Sequence, residues 1–157
     1  MNILETSCDG RGLRIGIVQS RFNESIVSKM TAACVVALEG CGVETDDIDL
    51  VTVPGALEIP HALRVLAATT DYDGLIAIGA VIRGDTYHFE IVANESCRGV
   101  MDVMLATGIP IANGILTTNT DVEAESRAED KARDCAKVVI ELVRLTETIT
   151  PIYEAEE

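Results

Sequence analysis

Aromatic side chains are scarce, with two Phe, three Tyr and no Trp in 157 residues. A core must therefore be aliphatic, and a chain that is 48% apolar can build one. Basic residues are also few: 12 Lys and Arg stand against 26 Asp and Glu, giving a net charge of −14 and a pI of about 4.4. Such a surface repels phosphate backbones, which excludes nucleic acid as a partner. No run of about 18 apolar residues occurs, so no membrane span is expected. The first residues lack a basic region followed by an apolar one, so no signal peptide is expected either. The cysteines are five, an odd count, with no Cys-x-x-Cys spacing, and histidines number only two. A zinc site is not expected on that inventory. Reduced thiols in a cytoplasm fit it best, with Cys34 and Cys135 acting as small buried hydrophobes. No Gly-x-Gly-x-x-Gly follows the first strand and no P-loop occurs, so neither a dinucleotide nor a nucleoside triphosphate is the expected ligand. Repeats, linkers and low-complexity segments are absent, and the length suits one domain.

What is present alternates. Leu13 to Ser20 reads as a strand, and Asn23 is placed to cap a helix over residues 24–39 whose apolar stripe includes Ile26, Met30, Cys34 and Leu38. Ile48 to Val53 is a second strand, broken by Pro54-Gly55, and residues 56–68 read as a second helix. Gly74 to Ile82 is apolar, short and uncharged, the pattern of a strand covered on both faces. A helix follows from about His88 to Ala106, a strand from Pro110 to Thr117, and a last helix from Asp121 to about Leu145. Residues 1–12 form an arm that could add an edge strand to a neighbouring copy. Residues 13–149 form the domain, and residues 150–157 an acidic, mobile tail. The expected class is α/β: three layers, a four-stranded parallel sheet flanked by helices.

In such sheets ligands sit beyond the carboxyl ends of the strands. Four loops leave those ends: Ser20 to Asn23, Pro54 to Glu58, Arg83 to His88, and Thr117 to Asn119. Topology is expected to gather them. The third carries a cation, a glycine, an Asp-Thr pair and then His88 at the start of a helix. A helix start attracts anions, and a histidine one turn away moves protons near neutral pH. The stretch reads as a site for a small phosphorylated substrate, although Gly, Asp and Thr also serve as plain turn and cap residues. Local positive charge for an anion would come from Arg83, Arg127, Lys131 or helix termini. Phe22 is either an exposed stacking platform or a residue packed over the first helix. Glu58 either binds sugar hydroxyls or complements a helix dipole. Arg127 and Lys131, four apart, either reach an anion together or pair with Glu123, Glu125, Glu129 or Asp130 on a solvated face.

These motifs resemble the 6,7-dimethyl-8-ribityllumazine synthase family. The matching stretches are Ile15-Gly-Ile-Val with Arg21-Phe22-Asn23, Val53-Pro-Gly-Ala-Leu-Glu-Ile-Pro60, the run from Gly79 through Arg83 and His88 to Glu90 with Asn94-Glu95, Gly114-Ile-Leu-Thr-Thr118, and Arg127 with Lys131. They cover about residues 13–145, in order. The resemblance implies a flavodoxin-like fold and condensation of 5-amino-6-(D-ribitylamino)uracil with 3,4-dihydroxy-2-butanone 4-phosphate in riboflavin biosynthesis. It implies no cofactor, no metal, and a homo-oligomer: a pentamer with active sites between neighbours, and in some relatives a decamer or a shell of twelve pentamers. On this pattern Phe22 stacks on the pyrimidine. Asn23 lies in the same substrate site, where Ala56, Leu57 and Glu58 hold the ribityl chain and Ala80, Val81 and Ile82 contact the ring. Asp85, Thr86 and Arg127 bind phosphate, with Lys131 beside them, and His88 shuttles protons.

Two departures stand out. Position 113 is commonly Phe, reaching a neighbour's pyrimidine, and here it is Asn113. Many relatives kink the last helix at a run Gly-x-Lys-Ala-Gly-Asn-Lys-Gly, whereas this chain reads Glu129 to Ala136 without glycine, so the helix is expected to continue. Two other readings stay open: an archaeal-type riboflavin synthase, which would need no phosphate site, and a non-catalytic flavin- or lumazine-binding shell protein.

Overall fold

The computed structural model describes the backbone of residues 1–154 and the side chains of residues 1–150. Four strands, β1 (Ile15–Ser20), β2 (Ile48–Val53), β3 (Gly74–Ile82) and β4 (Ile111–Thr118), form one parallel sheet in the order β2-β1-β3-β4. Helices α1 (Glu24–Gly40) and α4 (Asp121–Glu154) cover one face. Helices α2 (Ile59–Thr69) and α3 (His88–Thr107) cover the other. This is the expected α/β three-layer arrangement, with the strand order of flavodoxin-like folds.

The alternation of side chains along each strand feeds two aliphatic cores. Ile15, Ile17, Ile76, Ile78, Ala112 and Leu116 meet Met30, Leu38, Val139 and Ile140 on one side. Val18, Leu75, Ala77, Val81, Ile111 and Ile115 meet Ile59, Leu63 and Val100 on the other. Neither Phe is fully buried, in keeping with the aromatic-poor composition. Cys34 and Cys135 are buried in the first core. Desolvation pushes the Cys34 thiol up to about 12 and the Cys135 thiol to about 11, so both behave as the inert hydrophobes expected.

Most boundaries fall within one or two residues of the sequence reading; the following features differ more. Ala56 to Glu58 form a 3-10 turn, and α2 begins only at Ile59. Asn23 precedes α1 but does not cap it through its side chain, as detailed below. Helix α4 does not end near Leu145. It runs uninterrupted for 34 residues to Glu154, so residues 150–154 of the expected tail are helical, and residues 155–157 lie outside the described residues. The threonines that suggest an end to the helix are accommodated inside it. Thr146, Thr148 and Thr150 each donate their hydroxyl to the carbonyl four residues back, at 2.9, 2.9 and 2.8 Å. The glycine-free segment from Glu129 to Ala136 is continuous helix, as expected.

The root of the amino-terminal arm is fixed. Gly10 N–H donates to the Cys41 carbonyl at 2.7 Å, and Arg144 donates to the carbonyls of Asp9 and Arg11, both at 2.8 Å. No helix among the described residues is long and apolar enough to cross a membrane.

Candidate active site

The sheet reverses its direction of winding between β1 and β3, because β2 lies to one side of β1 and β4 to the far side of β3. The crevice outside the carboxyl ends of the strands at such a point is where open α/β sheets bind ligands. A cavity of about 320 Å³ opens there, lined by Phe22, Asn23, Gly55, Ala56, Leu57, Glu58, Ala80, Val81, Ile82, His88 and Val92. Nine of these are residues that the sequence assigns to a site. Gly55 and Val92 complete the lining; the sequence places them in a loop and on a helical stripe without assigning them a part.

Backbone and side-chain tethers hold the three loops at this mouth. Arg21 N–H continues the β1–β2 ladder to the Val53 carbonyl at 2.9 Å. Asn23 adopts the left-handed conformation, with φ of 57°, which Asn tolerates better than most residues. Its side-chain amide then reaches across to donate to the Ala80 carbonyl at 2.8 Å. A capping role is replaced by a tie between the loop after β1 and the end of β3. A Cβ at Gly55 would lie 2.9 Å from Glu58 Oε2 and 3.3 Å from the Phe22 ring, so a side chain there would push the Glu58 carboxylate aside. The carboxylate and the aromatic ring thus converge over one glycine. Phe22 is 71% exposed and lines the cavity, so it is not buried against α1.

Of the four loops expected to gather, the fourth is tied to the third through Arg83 but does not line this cavity. Thr117, Thr118, Asn119, Glu123, Arg127 and Lys131 line a second concavity of about 460 Å³ beside the edge strand β4. The expected pairing of Arg127 and Lys131 with nearby carboxylates does not occur among the described residues. Arg133 takes Glu129 and Asp130 instead, and Glu123 accepts the Asn119 N–H at 2.8 Å. Arg127 donates only to the Glu123 carbonyl at 3.0 Å and the Ser126 hydroxyl at 3.3 Å. Arg127 and Lys131, side by side in this concavity, thus form no ion pair among the described residues, as is also true of Arg21, Lys29, Arg64 and Lys137 elsewhere.

Asp85 and Thr86 line neither concavity. They lie on the exposed loop ahead of α3, and neither caps it: Tyr87 holds the cap position, with no side-chain bond to the helix. The first amides of α3 are left without a side-chain acceptor beside His88. Arg83 is not a free cation. Its Nε donates to Asn119 Oδ1 at 2.9 Å, its Nη1 pairs with Glu90, and its guanidinium stacks 4.2 Å from the Phe89 centroid. Asn113 faces α3 from β4, donating to Cys97 Sγ at 3.5 Å and accepting the Ile115 N–H at 3.0 Å.

A parallel sheet in the order β2-β1-β3-β4, with a cavity at its switch point, defines a doubly wound α/β protein of the flavodoxin-like class. Its residues 12–147 match the family model described as 6,7-dimethyl-8-ribityllumazine synthase, and the chain belongs to that family of transferases in riboflavin biosynthesis. It is 55% identical over 149 residues to a 6,7-dimethyl-8-ribityllumazine synthase of Ralstonia nicotianae, covering 95% of this chain and 91% of the relative. Proteins of the same name from Polynucleobacter necessarius subsp. necessarius and Burkholderia mallei are 49% and 52% identical, over 99% and 98% of this chain and 91% and 88% of their own lengths.

Proposed function

We propose that this chain condenses 5-amino-6-(D-ribitylamino)uracil with 3,4-dihydroxy-2-butanone 4-phosphate, in active sites each assembled from two copies. The observation that carries this reading is the separation of the two concavities. One holds an aromatic platform, a carboxylate and a histidine; the other holds two unpaired cations. Neither alone suits a pyrimidine and a phosphate ester together. A ring of copies that sets the first concavity against the second of a neighbour completes the set, consistent with a pentamer. Whether pentamers stop there, pair or close into a shell is a matter for the contacts of α4. The setting is the cytoplasm.

In this site Phe22 stacks on the pyrimidine and Glu58 accepts hydrogen bonds from ribityl hydroxyls, with Ala56 and Leu57 alongside. Ala80, Val81 and Ile82 contact the ring through backbone, and Asn23 fixes that edge. The uncapped amides of α3 with Asp85 and Thr86 receive the phosphate from one side. Arg127 and Lys131 of a neighbour receive it from the other, in charge-assisted bonds. Asn113 replaces a stacking partner with an amide. The substrate amine attacks the butanone carbonyl to give an imine and water, inorganic phosphate leaves, and ring closure releases a second water. His88 moves protons in these steps. Holding two small substrates together contributes on the order of 7–11 kcal/mol in favourable intramolecular cases, so no metal or redox cofactor is called for.

The test is product formation, followed by absorbance and released phosphate, in wild type and in co-expressed Phe22→Ala/His88→Ala and Arg127→Ala chains. Mixed oligomers should turn over faster than either variant alone, because some sites draw intact halves from both. No product from a folded wild-type protein, or no gain on mixing, overturns the reading.

A further inference from the structure

Arg83 lines neither concavity, yet it touches both of their frames. Its backbone N–H donates to the Thr118 carbonyl at 2.9 Å, continuing the β3–β4 ladder past the strands. Its side chain spans the loop Gly84 to Tyr87. The loop begins beside Arg83 and ends at α3, where Phe89 lies under the guanidinium and Glu90 pairs with it. The same guanidinium holds Asn119 through Nε. Asn119 N–H donates in turn to Glu123 Oε2, and the Glu123 carbonyl accepts Arg127 Nη1 at 3.0 Å. One planar fork thus fixes the segment that presents His88 and, two bonds further on, the segment that presents Arg127. The Arg83 hydrogen bond holds the Glu90 carboxyl below its usual range.

We propose that Arg83 is a positioning residue that registers the His88 half-site against the Arg127 half-site of the same chain. The inference rests on the functional reading above. If sites form between copies, the two half-sites of one chain serve two different active sites, so Arg83 links adjacent sites along the ring. Its planar geometry is essential to this role. A lysine supplies the charge, but its compact ammonium lacks the fork that meets Asn119 and Glu90 together and stacks on Phe89.

The test is steady-state kinetics on the assembled wild-type oligomer and on Arg83→Ala, Arg83→Lys, Asn119→Ala and Glu90→Gln, with oligomer size and melting temperature recorded for each. Wild-type turnover must be present first; its absence sinks the functional reading and not this inference alone. With turnover established, Arg83→Ala should lower kcat about tenfold and raise the KM for butanone phosphate about tenfold, the scale of small misplacements at a site. Its KM for the ribityl pyrimidine should stay within about twofold, since Arg83 is not part of that cavity. Asn119→Ala should weigh on the phosphate KM more than on kcat, and Glu90→Gln on kcat more than on that KM. Arg83→Lys should resemble Arg83→Ala. If Arg83→Lys restores wild-type kinetics, Arg83 acts as a bare charge and the proposal fails. Loss confined to melting temperature or assembly, with kinetics per intact oligomer unchanged, also overturns it.

Discussion

The two rims of the sheet use the same residue types in opposite ways. At the amino ends of the strands, Arg14 pairs with Asp49 at 2.7 Å, and the Tyr72 hydroxyl donates to the same carboxylate at 2.9 Å. Asp73 accepts the Arg14 N–H at 2.7 Å, and the Arg14 guanidinium lies 5.6 Å from the Tyr72 centroid. Arg14, Asp49 and Asp73 thus bind one another there, although Asp46, Asp47 and Asp71 nearby form no ion pair among the described residues. At the carboxyl ends, Glu58, Asp85, His88, Arg127 and Lys131 form no ion pair among the described residues. A saturated rim holds a fold, and an unsaturated one is left to meet a ligand. Arg83 is the exception that marks the border, a saturated cation inside the unsaturated rim.

Substitutions at the two rims should therefore fail in different assays. The largest kinetic effect is expected from His88→Ala. Loss of acid–base assistance should lower kcat by roughly 10²–10⁴-fold while leaving residual turnover from substrate proximity. Complete loss of turnover with substrate binding intact would contradict that division. Arg127→Ala should raise the KM for butanone phosphate by roughly 10–150-fold, the loss of about 1.5–3 kcal/mol expected for a hydrogen bond to a charged group. High concentrations of that substrate should restore its rate; a fall in kcat alone would place Arg127 elsewhere in the chemistry. Gly55→Ala should act more weakly. Its added methyl displaces Glu58 and Phe22, so the KM for the ribityl pyrimidine should rise by about tenfold, with the phosphate substrate unaffected.

The saturated rim should show the converse. Asp49→Asn should leave kinetics unchanged and lower stability by at most about 1 kcal/mol, or roughly 2–4 °C in a chain of this size, since the pair is solvent-exposed. Hydrogen bonds from Arg14 and then Tyr72 hold the Asp49 carboxyl below its ordinary value of 3.8. A lowered carboxyl contributes stability above its unfolded pKa and loses it as pH falls through the folded value. The gap between wild type and Asp49→Asn should thus be full at pH 7 and close under strong acid. A gap that widened in acid would reverse the assignment.

Much of this is legible in the amino-acid sequence. Uncharged aliphatic runs such as Gly74 to Ile82 announce buried strands, because no other local pattern hides so many β-branched residues in so short a length. Phe22, Glu58 and His88 are legible from loop topology, because their loops follow strands and a parallel sheet sends those loops to one rim, whereas Ala56, Leu57, Ala80, Val81 and Ile82 are legible only through the family resemblance. What sequence could not give was pairing across distance. Asn23 and Ala80 are 57 positions apart, and Arg83 and Asn119 are 36 apart. Nothing local says that Asn23 trades a helix cap for a tether, or that Arg83 is already occupied. The division of the candidate site into two concavities was hidden for the same reason: whether a fourth loop joins three others depends on sheet order. The persistence of α4 past Leu145 was hidden by residues of low helical preference whose hydroxyls bond back into the helix.

That long helix sets a mechanical length scale. At 1.5 Å per residue, 34 residues extend about 51 Å, while the eight residues of β4 span only about 26 Å. Helix α4 is therefore a beam with one end at the anion-facing concavity and the other beyond the sheet. It is not free to rock: Ala124, Ala128, Ala132, Ala136, Val139 and Ile140 are buried in the first core along its length, and Arg144 holds the carbonyls of Asp9 and Arg11. A rearrangement around an anion at Arg127 must therefore move the whole core layer to which α4 belongs, which makes the beam a brace for the anion-facing concavity.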